Sequence, residues 1–260
     1  MTAAIVIPAR YGSGRLPGKP LLEIRGMSML ERVWRIAKAV EGCSRVVIAT
    51  EDQRIVDHAA SFGAEAVLTP ESCRNGTERT YAALAAADIQ EEAIINFQGD
   101  ALLTPPWVLE AMVEEFDSAD RFDIVTPAVR LDDKALAAFM DHKKDNPSSG
   151  TTVVFDGKKN ALYFSKQVIP YLRKKDAASV HRHIGLYGYT RSGLKTYVGL
   201  QESLLERTEG LEQLRALENG LVVRVTLVDY RGRTHASVDN KGDIELTEQI
   251  IDREGELVGA

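Results

Sequence analysis

The chain has 260 residues, 44% of them hydrophobic and 27% charged, enough to bury a substantial core as one large α/β domain or two small ones. A formal net charge of -6 argues against a nucleic-acid or anionic-membrane binder, so an anionic ligand must be met by a local cluster of cations. Cys43 and Cys73 make neither a disulfide framework nor a zinc spacing, the apolar start is too short for a signal peptide, and no run of about 18 apolar residues occurs; the expectation is a cytoplasmic protein without a membrane span.

Residues 4–9, AIVIPA, form a short β-branched apolar run that reads as a buried strand. In 28–40, Leu30, Val33, Trp34, Ala37 and Val40 fall at helical spacing. A strand at 44–51, a helix over about 52–62 and a strand at 65–69 follow; 77–87 is alanine-rich and helical, and 92–98 is again a strand. Pro105 and Pro106 open a helix running to about residue 116, because proline is tolerated in a first turn, and 123–131 is the next strand. This alternation predicts a doubly wound, mostly parallel, Rossmann-like α/β sheet, with ligands beyond the carboxyl ends of the strands. The rhythm breaks near residue 132. Segments 151–156, 161–165 and 183–190 read as strands, 203–219 as one strong helix, 222–230 as a strand and 243–254 as an amphipathic helix. The expected organisation is a single domain over 1–260 carrying an inserted β-rich portion over about 132–202.

Two segments directly after strands carry the chemistry. PARYGSGRLPGKP (8–20) offers Gly12, Gly14 and Gly18 with Arg10, Arg15 and Lys19: glycines let backbone N–H groups approach a ligand, and the cations neutralise a polyphosphate. It is not a Walker loop, because five residues separate Gly12 from Gly18 and Pro20 follows Lys19. It is not the dinucleotide fingerprint either, since Pro17 holds the third glycine position. The second segment, NFQGDALLTP (96–105), sets Asp100 just past a buried strand, where a carboxylate suits Mg²⁺ held against phosphates. Alone, such an aspartate is more often a turn or cap residue.

PARYGSGRLPGKPL resembles the N-terminal signature of the CMP-Kdo synthetases, the 3-deoxy-manno-octulosonate (Kdo) cytidylyltransferases, a branch of the sugar nucleotidyltransferases. ALYFSKQVIPY (161–171), HRHIGLYGY (181–189), LEQLRAL (211–217) and NGTERT (75–80) resemble further family segments in the same order, so the resemblance spans nearly the whole chain. It implies the nucleotide-diphospho-sugar transferase fold and a nucleotidyltransferase that joins CMP from CTP to the anomeric hydroxyl of a Kdo-type acidic sugar, releasing pyrophosphate. It implies that Ala9, Arg10, Ser13, Arg15 and Lys19 surround the triphosphate, with Thr77, Glu78, Arg79 and Gln98 near the nucleotide. Arg10, Arg15, Lys19 and Asp100 carry the transfer in this reading, and His183, Tyr187, Glu212 and Gln213 face the sugar. Asp100 and, from SVDNKGDIEL, Asp239 are implied as ligands of Mg²⁺. A homodimer, formed through the inserted portion, is implied as well. Read without the resemblance, Glu78 and Arg79 are a solvated first helical turn, His183 is a packed core residue, and Glu212 and Gln213 are polar neighbours of a leucine stripe.

The chain departs from the family pattern in four places. Ala101-Leu102 stands for Glu-Pro after the aspartate, Thr152 for a lysine, Lys166 for an arginine, and RGRTHASVDNKGDI brings Arg231, Arg233 and His235 near Asp239. Lysine cannot make the planar two-pronged contact of arginine. The nucleotide half is intact, whereas the changes fall mainly on the sugar side. CMP transfer to another anionic acceptor (amino-Kdo or a nonulosonate) therefore stays open, as does a non-catalytic nucleotide-binding homologue.

Overall fold

A computed structural model describes residues 2–12, 16–174, 179–236, 238 and 240–259. The chain divides into two compact units, residues 1–117 with 230–260, and residues 118–229. The β-rich segment anticipated over about 132–202 lies within the second.

The first unit starts with β1 (Ala3–Pro8), every residue of which is buried. A 3-10 turn at Lys19–Leu21 leads into a small hairpin, β2 (Glu23–Ile24) and β3 (Met27–Ser28), which the sequence reading did not anticipate. Helix α1 (Met29–Lys38) is capped by the Ser28 side chain, which accepts from Glu31 N–H, and buries Leu30, Val33 and Ile36. Then come β4 (Cys43–Thr50), α2 (Gln53–Ser61), β5 (Glu65–Leu68), α3 (Gly76–Ala86), β6 (Ala93–Asn96) and α4 (Pro106–Glu115). Strands β5, β4, β1 and β6 lie side by side in that order, all parallel. Continuous apolar strands such as AAIVIP and AIIN are what a parallel sheet covered by helices requires. The order reverses at β1, with β4 on one side and β6 on the other. That places a ligand crevice beyond the carboxyl ends of β1 and β6.

In the second unit the central strand is β7 (Ile124–Arg130), followed by α5 (Asp133–Asp145), β8 (Thr151–Phe155) and β9 (Ala161–Ser165). Next are β10 (His181–His183), β11 (Tyr187–Thr190), α6 (Arg191–Val198), α7 (Leu204–Glu209), α8 (Gln213–Glu218) and β12 (Val223–Leu227). Strands β10 and β11 pair antiparallel with β7, β12 runs parallel to it, and the β8–β9 hairpin extends the sheet from β10. The chain returns to the first unit in α9 (Lys241–Glu254).

Three helical features differ from expectation. The single helix read over 203–219 is two, because Gly210 takes a left-handed C-cap conformation (φ 65°) that ends α7. Helix α5 starts where Asp132 accepts from Ala135 N–H, a cap hidden in a charged stretch. Thr190 likewise caps α6.

Candidate active site

The predicted crevice exists in the first unit. A cleft of about 380 Å³ is lined by Pro8, Ala9 and Arg10 from the end of β1, Lys19 and Pro20 from the loop, and Gln98, Gly99 and Asp100 after β6. Cys73, Arg74, Asn75, Gly76 and Arg79, around the start of α3, complete it. Arg10, Lys19, Arg74 and Arg79 bring positive charge to the cleft, and Asp100 is the carboxylate among its described lining. The amino end of α3, at Asn75 and Gly76, adds the partial positive charge of the helix dipole. For a chain of net charge -6 this is the local cationic cluster that an anionic ligand needs.

Each lining group is held by specific contacts. Gly18 N–H donates to Tyr11 O at 2.9 Å, closing the base of the glycine-rich loop. Gly18 is left-handed (φ 69°), and an added Cβ there would lie 3.2 Å from the Tyr11 ring. Tyr11 N–H in turn donates to Glu51 Oε1 at 2.9 Å, and Arg54 stacks on the Tyr11 ring. Lys19 Nζ donates to Asp100 Oδ2 at 2.8 Å, so the loop cation and the carboxylate face each other across the cleft. Gln98 Nε2 donates to Asn96 Oδ1 at 3.1 Å, which fixes the amide plane. Gly76 permits this closeness: an added Cβ there would lie 3.1 Å from Gln98 Oε1 and 3.2 Å from Pro8.

The nominated residues near α3 divide. Arg79 lines the cleft, but its guanidinium is engaged, Nη1 donating to Thr69 Oγ1 at 2.7 Å and Nη2 lying 2.9 Å from Glu51 Oε2. Thr77 and Glu78 lie behind the wall. Thr77 is buried against Asn96, and the Glu78 carboxylate is taken up by the Arg74 backbone and guanidinium at 2.8 and 2.6 Å. Glu51, which the sequence reading passed over, joins the loop to Arg79; an acidic residue just after a buried strand was its one signal.

Ser13, Arg15 and Asp239 lie outside the described residues. The neighbours of Asp239 are described: Val238 is buried, and Asn240 caps α9 by accepting from Gly242 N–H at 2.9 Å. Arg231 stacks on Trp107, and Arg233 donates to Gly255 O. Among the described residues, no group of three or more His, Cys, Asp or Glu side chains stands together as a metal cage. Asp100, a carboxylate beside phosphate-neutralising cations, still has the donor chemistry that magnesium uses, since that ion keeps several waters and needs only one or two carboxylates plus phosphate oxygens.

The four residues nominated for the sugar are all in the second unit. His183, on β10, has Nε2 2.8 Å from Thr126 Oγ1. The Thr126 hydroxyl donates its single proton to a carbonyl, Leu186 O at 2.8 Å, so His183 Nε2 is the donor toward it. The His183 ring also packs edge-on to Phe164 and near Tyr187. Tyr187 donates its hydroxyl to Gln213 Oε1 at 3.0 Å. Tyr197 donates to Glu212 O at 3.1 Å, with Glu212 Oε2 at 3.5 Å. Burial raises the Glu212 carboxyl above its ordinary range, despite the nearby Arg215 guanidinium. That guanidinium is paired with Glu206, through bonds of 2.7 and 2.5 Å. Thr152 is used structurally, donating to Gln167 O at 2.6 Å and accepting from Ile169 N–H at 3.1 Å.

The sequence profile described as cytidylyltransferase matches residues 4–227. The 3-deoxy-manno-octulosonate cytidylyltransferase of Maricaulis maris is 51% identical over 259 residues, covering 99% of this chain and 100% of that protein. The chain belongs to the 3-deoxy-manno-octulosonate cytidylyltransferase family. A solved CMP-2-keto-3-deoxy-manno-octonic acid synthetase, complexed with CTP, superposes with a TM-score of 0.86 at 33% identity, over 98% of this chain and 100% of that one. The 8-amino-3,8-dideoxy-manno-octulosonate cytidylyltransferase of Shewanella pealeana is 38% identical, covering 95% of this chain and 98% of that protein. Membership makes this chain a nucleotidyltransferase of the mostly parallel α/β fold expected from the sequence.

Proposed function

We propose that this cytidylyltransferase family member transfers CMP from CTP to the anomeric hydroxyl of 3-deoxy-manno-octulosonate. The observation that carries the reading is the cationic cleft at the β1–β6 switch point, in a chain 51% identical to a relative named for that sugar. The hydroxyl oxygen bonds to the α-phosphorus of CTP, the bond from that phosphorus to the bridging oxygen breaks, pyrophosphate leaves and the hydroxyl proton passes to solvent. Such a transfer needs positioning and charge neutralisation more than covalent help from the protein. Arg10 and Lys19 neutralise the β- and γ-phosphates that depart, and the amino end of α3 draws the anion toward Asn75 and Gly76. Gln98, with its amide plane set by Asn96, contacts the base or ribose. Arg15 and Ser13 belong to the same loop motif in this reading.

Mg²⁺ is part of the proposal, with Asp100 and Asp239 holding it; bound there, it screens phosphate charge and lowers the cost of approach by the hydroxyl. With the ion held there, Asp100 would serve the metal and Lys19 would face the triphosphate. On the sugar side, His183, Glu212 and Gln213 supply the polar contacts. The proposed assembly is a homodimer through the second unit, whose edge strand β9 exposes Leu162, with Tyr171 exposed beyond it. The proposed compartment is the cytoplasm, in keeping with two free cysteines; no described helix is long and apolar enough to cross a membrane.

The test is pyrophosphate release with each of the four nucleoside triphosphates and 3-deoxy-manno-octulosonate, with and without EDTA. Release with CTP that EDTA abolishes, and that Asp100→Ala lowers by about a hundredfold or more, supports the reading. Equal release from UTP refutes the nucleotide assignment.

A further inference from the structure

We propose that Tyr11 is a positioning residue for the nucleotide cleft: its ring, held by the Arg54 guanidinium, fixes Gly18 and so sets where Lys19 enters the site. The proposal rests on the reading that this cleft takes the triphosphate of CTP. Gly18 directly precedes Lys19, the loop cation that faces Asp100. Tyr11 itself is not in the described lining of the cleft, which separates its role from contact with the ligand. Its backbone is held at both polar groups. The N–H donates to Glu51 Oε1 at 2.9 Å, and the carbonyl accepts from Gly18 N–H at 2.9 Å.

The side chain adds a third hold. Gly18 sits so close that an added Cβ would lie 3.2 Å from Tyr11 Cε2 and 3.4 Å from the hydroxyl oxygen. Backbone bonds alone would leave this half-buried ring free to change rotamer. Arg54, from α2, prevents that: its guanidinium carbon lies 3.3 Å from the ring centroid. Arg54 is in turn held flat by Asp52, with Nε donating to Oδ1 at 2.9 Å and Nη2 to Oδ2 at 2.6 Å. Asp52 caps α2 by accepting from Arg54 N–H at 3.0 Å, so the whole stack is anchored to a helix start. A planar guanidinium can make a two-pronged contact and lie on an aromatic face at once, whereas an ammonium cannot. The contacts therefore run from α2 through Arg54 and the Tyr11 ring to Gly18 and Lys19. A cation stabilises a departing phosphate best when its place is set beforehand, and this stack sets it.

Tyr11→Leu removes the ring, Tyr11→Phe keeps it without the hydroxyl, and Arg54→Lys keeps the charge without the plane. Calorimetric titration with CTP should show affinity lower by about tenfold in Tyr11→Leu and about threefold in Arg54→Lys. Tyr11→Phe should stay within about twofold of wild type, and KM for the acidic sugar should move by less than about twofold in all three. In a Lys19→Ala background Tyr11→Leu adds nothing, because the group it positions is gone. Unchanged CTP affinity in Tyr11→Leu, or a loss that persists in full in that background, overturns the proposal. A second measurement separates it from the nucleotide reading: hydrogen exchange of the Gly18 amide in protein without nucleotide. Arg54 is largely exposed, so Arg54→Lys spares the core and both backbone partners of that amide bond. Exchange there should quicken by about threefold if the stacked ring holds Gly18, and unchanged exchange overturns the proposal. A wild type that binds no CTP, with Gly18 exchange quickened by Arg54→Lys, refutes the nucleotide reading and leaves the positioning role supported.

Discussion

At Glu51 one carboxylate serves two parts of the nucleotide cleft. Its Oε1 accepts from the backbone of Tyr11, where the glycine-rich loop begins, and its Oε2 faces the Arg79 guanidinium. Charge-assisted contacts of this kind are worth about 1.5–3 kcal/mol each. Glu51→Ala is therefore expected to weaken CTP binding by at least about tenfold, read by calorimetric titration, and Glu51→Gln by less because it keeps an acceptor for Tyr11 N–H. Glu212 gives a prediction of opposite sign for stability. Its folded-state pKa is raised by burial, so the folded protein binds its proton more tightly than the unfolded chain does. The penalty is absent below the unfolded carboxyl range, near pH 4, grows as pH rises through the folded pKa, and is complete above it. Glu212→Gln should raise Tm at pH 7.5 and leave it unchanged near pH 4, while lowering turnover, a pattern expected where stability has been given up for a site. Arg10, Lys19 and Asp100 were legible as cleft-lining residues because each lies in a short motif that follows a buried strand. Glu51 was not, since its partners come from other elements and no local spacing announces them.

Helix ends decide much at the next scale. Asn75 accepts from Glu78 N–H at 2.9 Å and fixes the start of α3, the end that faces the cleft. Replacing Asn75 by Ala removes a cap worth about 1 kcal/mol and should lower both Tm and CTP affinity, whereas Asn75→Asp restores the cap. Gly210 is the matching case in the second unit. Its left-handed C-cap separates α7 from α8, which begins at Gln213 after Glu212. Gly210→Ala should cost about 1 kcal/mol, seen as a lower midpoint in urea. Hydrophobic periodicity carried through this break, since Leu211, Leu214 and Leu217 continue a stripe, and that is why 203–219 read as one helix. Strands β1 and β6 of the first unit were legible for the opposite reason: buried parallel strands are continuous apolar runs between turn residues, a pattern that little else produces. Helices α5 and α6 were hidden by polar faces and by caps that resemble turns.

Over the whole molecule, the contrast between a net charge of -6 and a cleft lined by Arg10, Lys19, Arg74 and Arg79 explains how an acidic protein recruits a polyanion. The attraction is local and is screened over about 8 Å at physiological ionic strength, so KM for CTP should rise with salt while Tm changes little. The family was legible from ordered motifs spread along the chain, and matched relatives cover nearly all of it. The Kdo-type acceptor was read from the same ordered motifs, whereas the bond between Tyr187 and Gln213, which come from separate elements, is visible only in the fold. The most direct test of the central claim is the product itself: incubation with CTP, Mg²⁺ and 3-deoxy-manno-octulosonate, followed by ³¹P NMR and mass spectrometry of the nucleotide fraction. The account predicts a CMP-sugar phosphodiester formed in step with pyrophosphate; CTP left intact, or converted only to CMP and pyrophosphate, would contradict it.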